Sequence, residues 1–136
     1  MKRWVLLLLL ILFVCLPIVY EQDEDDLIQD MLAEESGFYH IYVFWDDKDG
    51  EGTSVPASIL GPFHSEAYRQ SLHISRLQIV LSNPESPNYR YAKLFDLKRS
   101  PTYLLLDHQR ILLETVQIED IPSFIKNEGV LGLSSK

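Results

Sequence analysis

The chain has one cysteine, Cys15, in 136 residues. An intramolecular disulfide is therefore excluded, and with it any chemistry that cycles a dithiol within one chain. Positive charge is also scarce. Twelve Lys and Arg stand against twenty Asp and Glu, for a net charge of -8. Nucleic-acid binding needs a basic stripe to displace counterions from phosphates, and this balance excludes it. The six glycines are too few and too scattered for a phosphate-cradling loop. No Gly-x-Ser-x-Gly elbow is present for acyl transfer. His40, His64, His73 and His108 lack metal-ligand spacing. No cofactor is implied, and the chain has no internal repeat.

What is present begins with an apolar leader. Lys2 and Arg3 precede an uncharged run over residues 4–20, 17 residues long. That is the short limit for crossing a hydrocarbon core. The basic end should stay cytoplasmic and the acidic side should be translocated. The small residues that a signal peptidase needs before its cut are missing. The expectation is an uncleaved signal-anchor in the cytoplasmic membrane, single-pass, with the rest of the chain on the extracytoplasmic side. A second reading stays open at Cys15. Leu12-Phe13-Val14-Cys15 resembles the lipobox of bacterial lipoproteins, in which the cysteine is lipidated. It departs from that motif at Val14, where Gly, Ala or Ser is wanted, and the apolar run continues past Cys15. Either outcome tethers the chain to the membrane.

Residues 21–35 carry eight acids and no Lys or Arg. Leu27, Ile28, Met31 and Leu32 recur at helical spacing, which predicts a helix over residues 23–35 with Gly37 as its stop. Asp23 to Asp26 suit its positive amino-terminal end. Residues 40–45, His-Ile-Tyr-Val-Phe-Trp, read as a buried strand. His40 on that strand reads as a satisfied or edge residue. Next come a charged turn from Asp46 to Gly52 and a polar stretch through Pro56 and Gly61-Pro62. Ser65 is expected to cap a helix running to about Ser75, with Tyr68 and Leu72 on one face. Residues 77–81 read as a strand. Ser86-Pro87 reads as a helix start, with Tyr91, Leu94 and Phe95 inward. Tyr89 and Tyr91 beside Arg90 and Lys93 read as helix surface in preference to a contact patch. Residues 102–106 and 110–116 form a predicted hairpin around Asp107-His108-Gln109. Asp120 opens a last helix, with Pro122 in its first turn and Ile121, Phe124 and Ile125 facing inward. The order is helix, strand, helix, strand, helix, hairpin, helix, which predicts a mixed sheet with helices on both faces.

The segment from Tyr91 through Ser100-Pro101-Thr102 to Asp107 resembles the thioredoxin pattern. A helix ends in a turn, an x-Pro-Thr step follows, and then an apolar strand enters a hairpin. The match spans roughly residues 24–127 and is specific over residues 91–127. The resemblance implies a thioredoxin-like α/β fold and a cis proline at Pro101. Val43-Phe44-Trp45 resembles the family's strand before its active site. Counted onward, the redox Cys-x-x-Cys falls on Asp49, Gly50, Glu51 and Gly52. No thiolate is available there, and an aspartate cannot replace one as the nucleophile of disulfide exchange. The family's usual first strand has no obvious counterpart in this chain.

These readings divide the chain into four parts. Residues 1–20 form the anchor or signal segment. Residues 21–36 form an acidic juxtamembrane helix, the first helix of the domain. Residues 37–130 form the thioredoxin-like domain, and residues 131–136 a tail. The expected function is non-enzymatic. It is a redox-inactive module that captures a protein or peptide through the cis-proline groove at Ser100, Pro101, Thr102 and Trp45, facing the degenerate loop at Asp49. One alternative is an envelope lipoprotein, lipidated at Cys15, with a structural role. Another is a calcium- or metal-dependent activity at Asp47, Asp49 and Glu51, whose alternate acids resemble the start of a calcium loop. The twelfth position of such a loop falls on Ser58 instead of a bidentate acid. A solvated turn is the preferred reading of that segment.

Overall fold

Two strands carry apolar side chains on both faces, and the architecture follows from covering each face. The computed structural model describes residues 23–46 and 55–133. Its elements are α1 (Glu24–Met31), β1 (Tyr39–Trp45), a 3-10 segment (Ala57–His64), α2 (Glu66–Ser71), β2 (Ile74–Leu81), α3 (Tyr89–Phe95), β3 (Thr102–Leu106), β4 (Ile111–Thr115) and α4 (Asp120–Leu133). The sheet runs β2-β1-β3-β4. β1 is parallel to β2 and antiparallel to β3, and β3 and β4 form an antiparallel hairpin. This is the mixed, helix-flanked sheet expected from the sequence. No strand pairs beyond β2 among the described residues.

Strand side chains alternate between faces, so β1 and β3 divide their residues between two cores. Ile41, Val43, Tyr103 and Leu105 pack with Ile59 and Phe63 of the 3-10 segment and with Ile121 and Ile125 of α4. Tyr42, Phe44, Leu104 and Leu106 pack with Leu27 and Met31 of α1 and with Tyr91 of α3. A strand buried on both faces reads as a continuous apolar run, which is why both central strands were legible in sequence.

Helix boundaries differ from the sequence reading, and tertiary bonds explain why. α1 ends at Met31 and not at residue 35, because Leu32 is extended and the Ala33 N–H donates to the Asp107 carbonyl at the hairpin turn. Asp23 does cap it, its side chain accepting from the Glu24 N–H. α2 is capped by Ser65 but ends at Ser71. His73 takes a positive φ of 57° and donates its N–H to the Gln70 carbonyl, closing the helix just before β2. β2 therefore begins at Ile74, three residues before the expected start. α3 starts at Tyr89 with Asn88 as cap. Ser86 instead builds a turn, its hydroxyl accepting from Asn88. The leader, with Cys15, lies outside the described residues. Among the described residues no helix is long and apolar enough to cross a membrane.

Candidate functional site

Three loops converge on one rim of the sheet. β1 and β2 are parallel, so their carboxy-terminal ends lie side by side, and there the Ser82 N–H donates to the Trp45 carbonyl at 3.0 Å. β3 runs the other way and begins at the same rim, with Phe44 opposite Thr102. The loop before it contains the Ser100–Pro101 peptide, which is cis. The Asp46 N–H donates to Ser100 Oγ at 2.8 Å, tying the end of β1 to the proline loop. The Thr102 hydroxyl donates to the Arg99 carbonyl at 2.6 Å and so closes that loop on itself. The carboxy-terminal rim of parallel strands is where open α/β sheets hold ligands.

An open cleft of about 580 Å³ lies at this rim, within the usual range for a ligand site. Phe44 and Asp46 come from β1 and the residue after it, Ser82 follows β2, and Ser100 precedes the cis proline. The outer wall is α3 and its exit, contributing Tyr89, Ala92, Lys93, Asp96, Leu97, Lys98 and Arg99. Asp96 ends α3 in the left-handed conformation, φ 42°, which turns residues 97–99 back toward the rim. Lys98 Nζ pairs with Asp96 at 2.5 Å. Both side chains are largely exposed, so that pair contributes little to stability.

Of the groove residues selected from sequence, the cleft lining takes in one of the four, Ser100. Thr102 is buried, its hydroxyl committed to Arg99. Trp45 packs against the opposite core, beside the 3-10 segment and α4. Tyr89 and Lys93 line the cleft, whereas Tyr91 is buried under Arg90, whose guanidinium stacks 4.8 Å from the ring centroid. Asp47, Asp49, Gly50, Glu51 and Gly52 lie outside the described residues. Lys98, Arg99 and Asp96 were not singled out in the sequence. Their signal was local: residues 90–99 hold four of the twelve Lys and Arg with Asp96 as the sole acid.

A second polar cluster lies near the start of the sheet. His40 is fully buried. Its Nδ1 is 2.9 Å from the Met31 carbonyl and its Nε2 is 3.1 Å from Glu34 Oε2. Arg76 donates to Glu34 at 2.7 Å, to the Asp30 carbonyl and to the Tyr42 hydroxyl. Burial pushes the Tyr42 phenol up. The carboxyl of Glu34 is held below its ordinary value, first by its own backbone N–H and then by the charges of His40 and Arg76, against a desolvation effect of opposite sign. These groups satisfy one another and staple the end of α1 to β1 and β2. Among the described residues no group of three or more His, Cys, Asp or Glu can hold a metal ion.

No protein-family model matches the chain, and no curated protein matches it. Solved structures do. Thioredoxin f2 of Chlamydomonas reinhardtii is 13% identical, with a TM-score of 0.51 over 79% of this chain and 93% of that one. The short form of spinach chloroplast thioredoxin f is 14% identical, with a TM-score of 0.49 over 74% and 81%. Mitochondrial thioredoxin 3 of Saccharomyces cerevisiae is 12% identical, with a TM-score of 0.48 over 75% and 84%. At such identities the likeness is one of fold.

Proposed function

We propose that this thioredoxin-like domain is a redox-inactive binding module, held at the extracytoplasmic face of a membrane by its apolar leader. A fold supports many functions, so the reading rests on the site. The observation that carries it is the rim itself. The Asp46–Ser100 bond fixes the cis-proline loop beside an open cleft, in a chain whose lone cysteine, Cys15, precedes the domain. With no cysteine after Cys15, such a cleft can hold a peptide but has no thiolate of its own to exchange disulfides with it. On this reading the main chain at Ser100 would bond an extended segment, and the side chains on the wall would set its identity.

The test is in-cell crosslinking with a photoreactive residue at Ser100, using the full-length protein in its own membrane. A discrete captured partner is expected, with capture weakened in Pro101→Ala. Trp45→Ala then locates the contact. Retained capture places it on the cleft face, and lost capture extends it across the rim to the other face. Identical capture profiles for wild type and both variants would sink the reading.

A further inference from the structure

We infer that the cleft selects an acidic peptide segment of a partner protein. The inference rests on the binding reading above and adds to it the chemistry of the ligand. The chain as a whole carries -8, yet residues 90–99 reverse that sign locally, with Arg90, Lys93, Lys98 and Arg99 against Asp96. Three of those four cations line the cleft wall. The acids lining the cleft are Asp46, across from that wall, and Asp96; Asp96 pairs with Lys98, which leaves Lys93 and Arg99 as the wall's excess positive charge.

The placement matters more than the count. Lys93 projects from α3, while Lys98 and Arg99 come from the turn that the left-handed Asp96 creates. The cations therefore run from the helix to the residue next to Ser100. An extended peptide hydrogen-bonded at Ser100 would present alternate side chains toward this row. Carboxylates there meet ammonium and guanidinium donors, while an unrelated basic segment meets like charge. The net negative charge of the rest of the chain adds selectivity, because it disfavours non-specific association with an acidic partner away from this wall.

The experiment measures fluorescence anisotropy of full-length protein with peptides of alternating Glu and Ser, the same peptide with Gln for Glu, and the same with Lys. The Glu peptide should bind at least about tenfold more tightly than the Gln peptide at low salt, and that preference should fade between about 50 and 500 mM salt. K93E/K98E/R99E should abolish the preference. The milder K93Q/R99Q should reduce it several-fold, with unchanged circular dichroism confirming the fold in each. Equal affinity for the Glu and Gln peptides overturns the inference. So does a preference that survives K93E/K98E/R99E. An intrachain crosslink from Lys93 or Lys98 to the carboxylates at Asp47, Asp49 or Glu51, with no peptide bound, overturns it in favour of self-occupancy. Partner capture at Ser100 that persists undiminished in K93E/K98E/R99E overturns the acidic preference and leaves the binding module standing.

Discussion

His40 has both ring nitrogens committed inside the fold, to the Met31 carbonyl and to Glu34. The carbonyl can only accept, so Nδ1 donates to it. His40→Leu would leave a buried carbonyl without its donor and is expected to cost about 1–3 kcal/mol in urea unfolding. Glu34 adds a pH dependence of definite sign. Its folded-state carboxyl titrates below the ordinary 4.5, so its contribution is present above that value and is lost as pH falls through the folded one. Glu34→Gln should therefore lower stability by a constant amount above about pH 5 and flatten the acid limb below it, as urea unfolding across pH would show. Gly61 is the other residue whose identity is set by geometry. It sits at φ 46°, ψ -130°, at the kink of the 3-10 segment, and a Cβ there would lie 3.4 Å from Ile118 Cγ2. Gly61→Ala should destabilise by about 1–3 kcal/mol, chiefly through the backbone, as thermal unfolding would show.

Among the elements, β1 holds the sheet together, bonded to β2 on one side and β3 on the other with both faces buried. Ile41→Ala is expected to cost about 2–5 kcal/mol, whereas Leu112→Ala on the part-exposed edge strand β4 should cost clearly less. The same contrast explains what was legible in the sequence. β1 and the β3–β4 hairpin are written in local pattern, an apolar run and two runs around Asp107-His108-Gln109. The ends of α1, α2 and α3 are not, because they depend on partners far along the chain or on single left-handed residues. Ala33 bonding to Asp107 stops α1, and His73 and Asp96 stop α2 and α3. Of the candidate site, the Ser100–Pro101–Thr102 step was visible as a motif. The cleft wall was not, since a row of cations spanning a helix and its exit turn has no fixed spacing. Trp45 shows the limit of adjacency: it is next to Asp46 in sequence, yet strand alternation sends its side chain to the other face.

For the whole molecule, the lone cysteine predicts that unfolding temperature is the same with and without reductant, and that the protein reduces no peptide disulfide. The intact mass of membrane-extracted protein separates the two proposed anchors. A chain retaining Met1 to Val14 means a signal-anchor; a diacylated chain beginning at Cys15 means a lipoprotein. The melting temperature is expected to be indifferent to millimolar calcium and to chelator, and a rise with calcium would instead support a metal loop at Asp47, Asp49 and Glu51. The joint between Ala33 and Asp107 has a mechanical consequence. Helix α1 is about two turns long and buries Leu27 and Met31 before the chain crosses to the hairpin turn. Tension applied at Asp23 thus falls first on this short clip and reaches the strands through the bonds of His40 and Arg76 to its end. A pull from the amino terminus would therefore test α1 and its staple at the start of the sheet first, at the end of β1 away from the cis-proline rim.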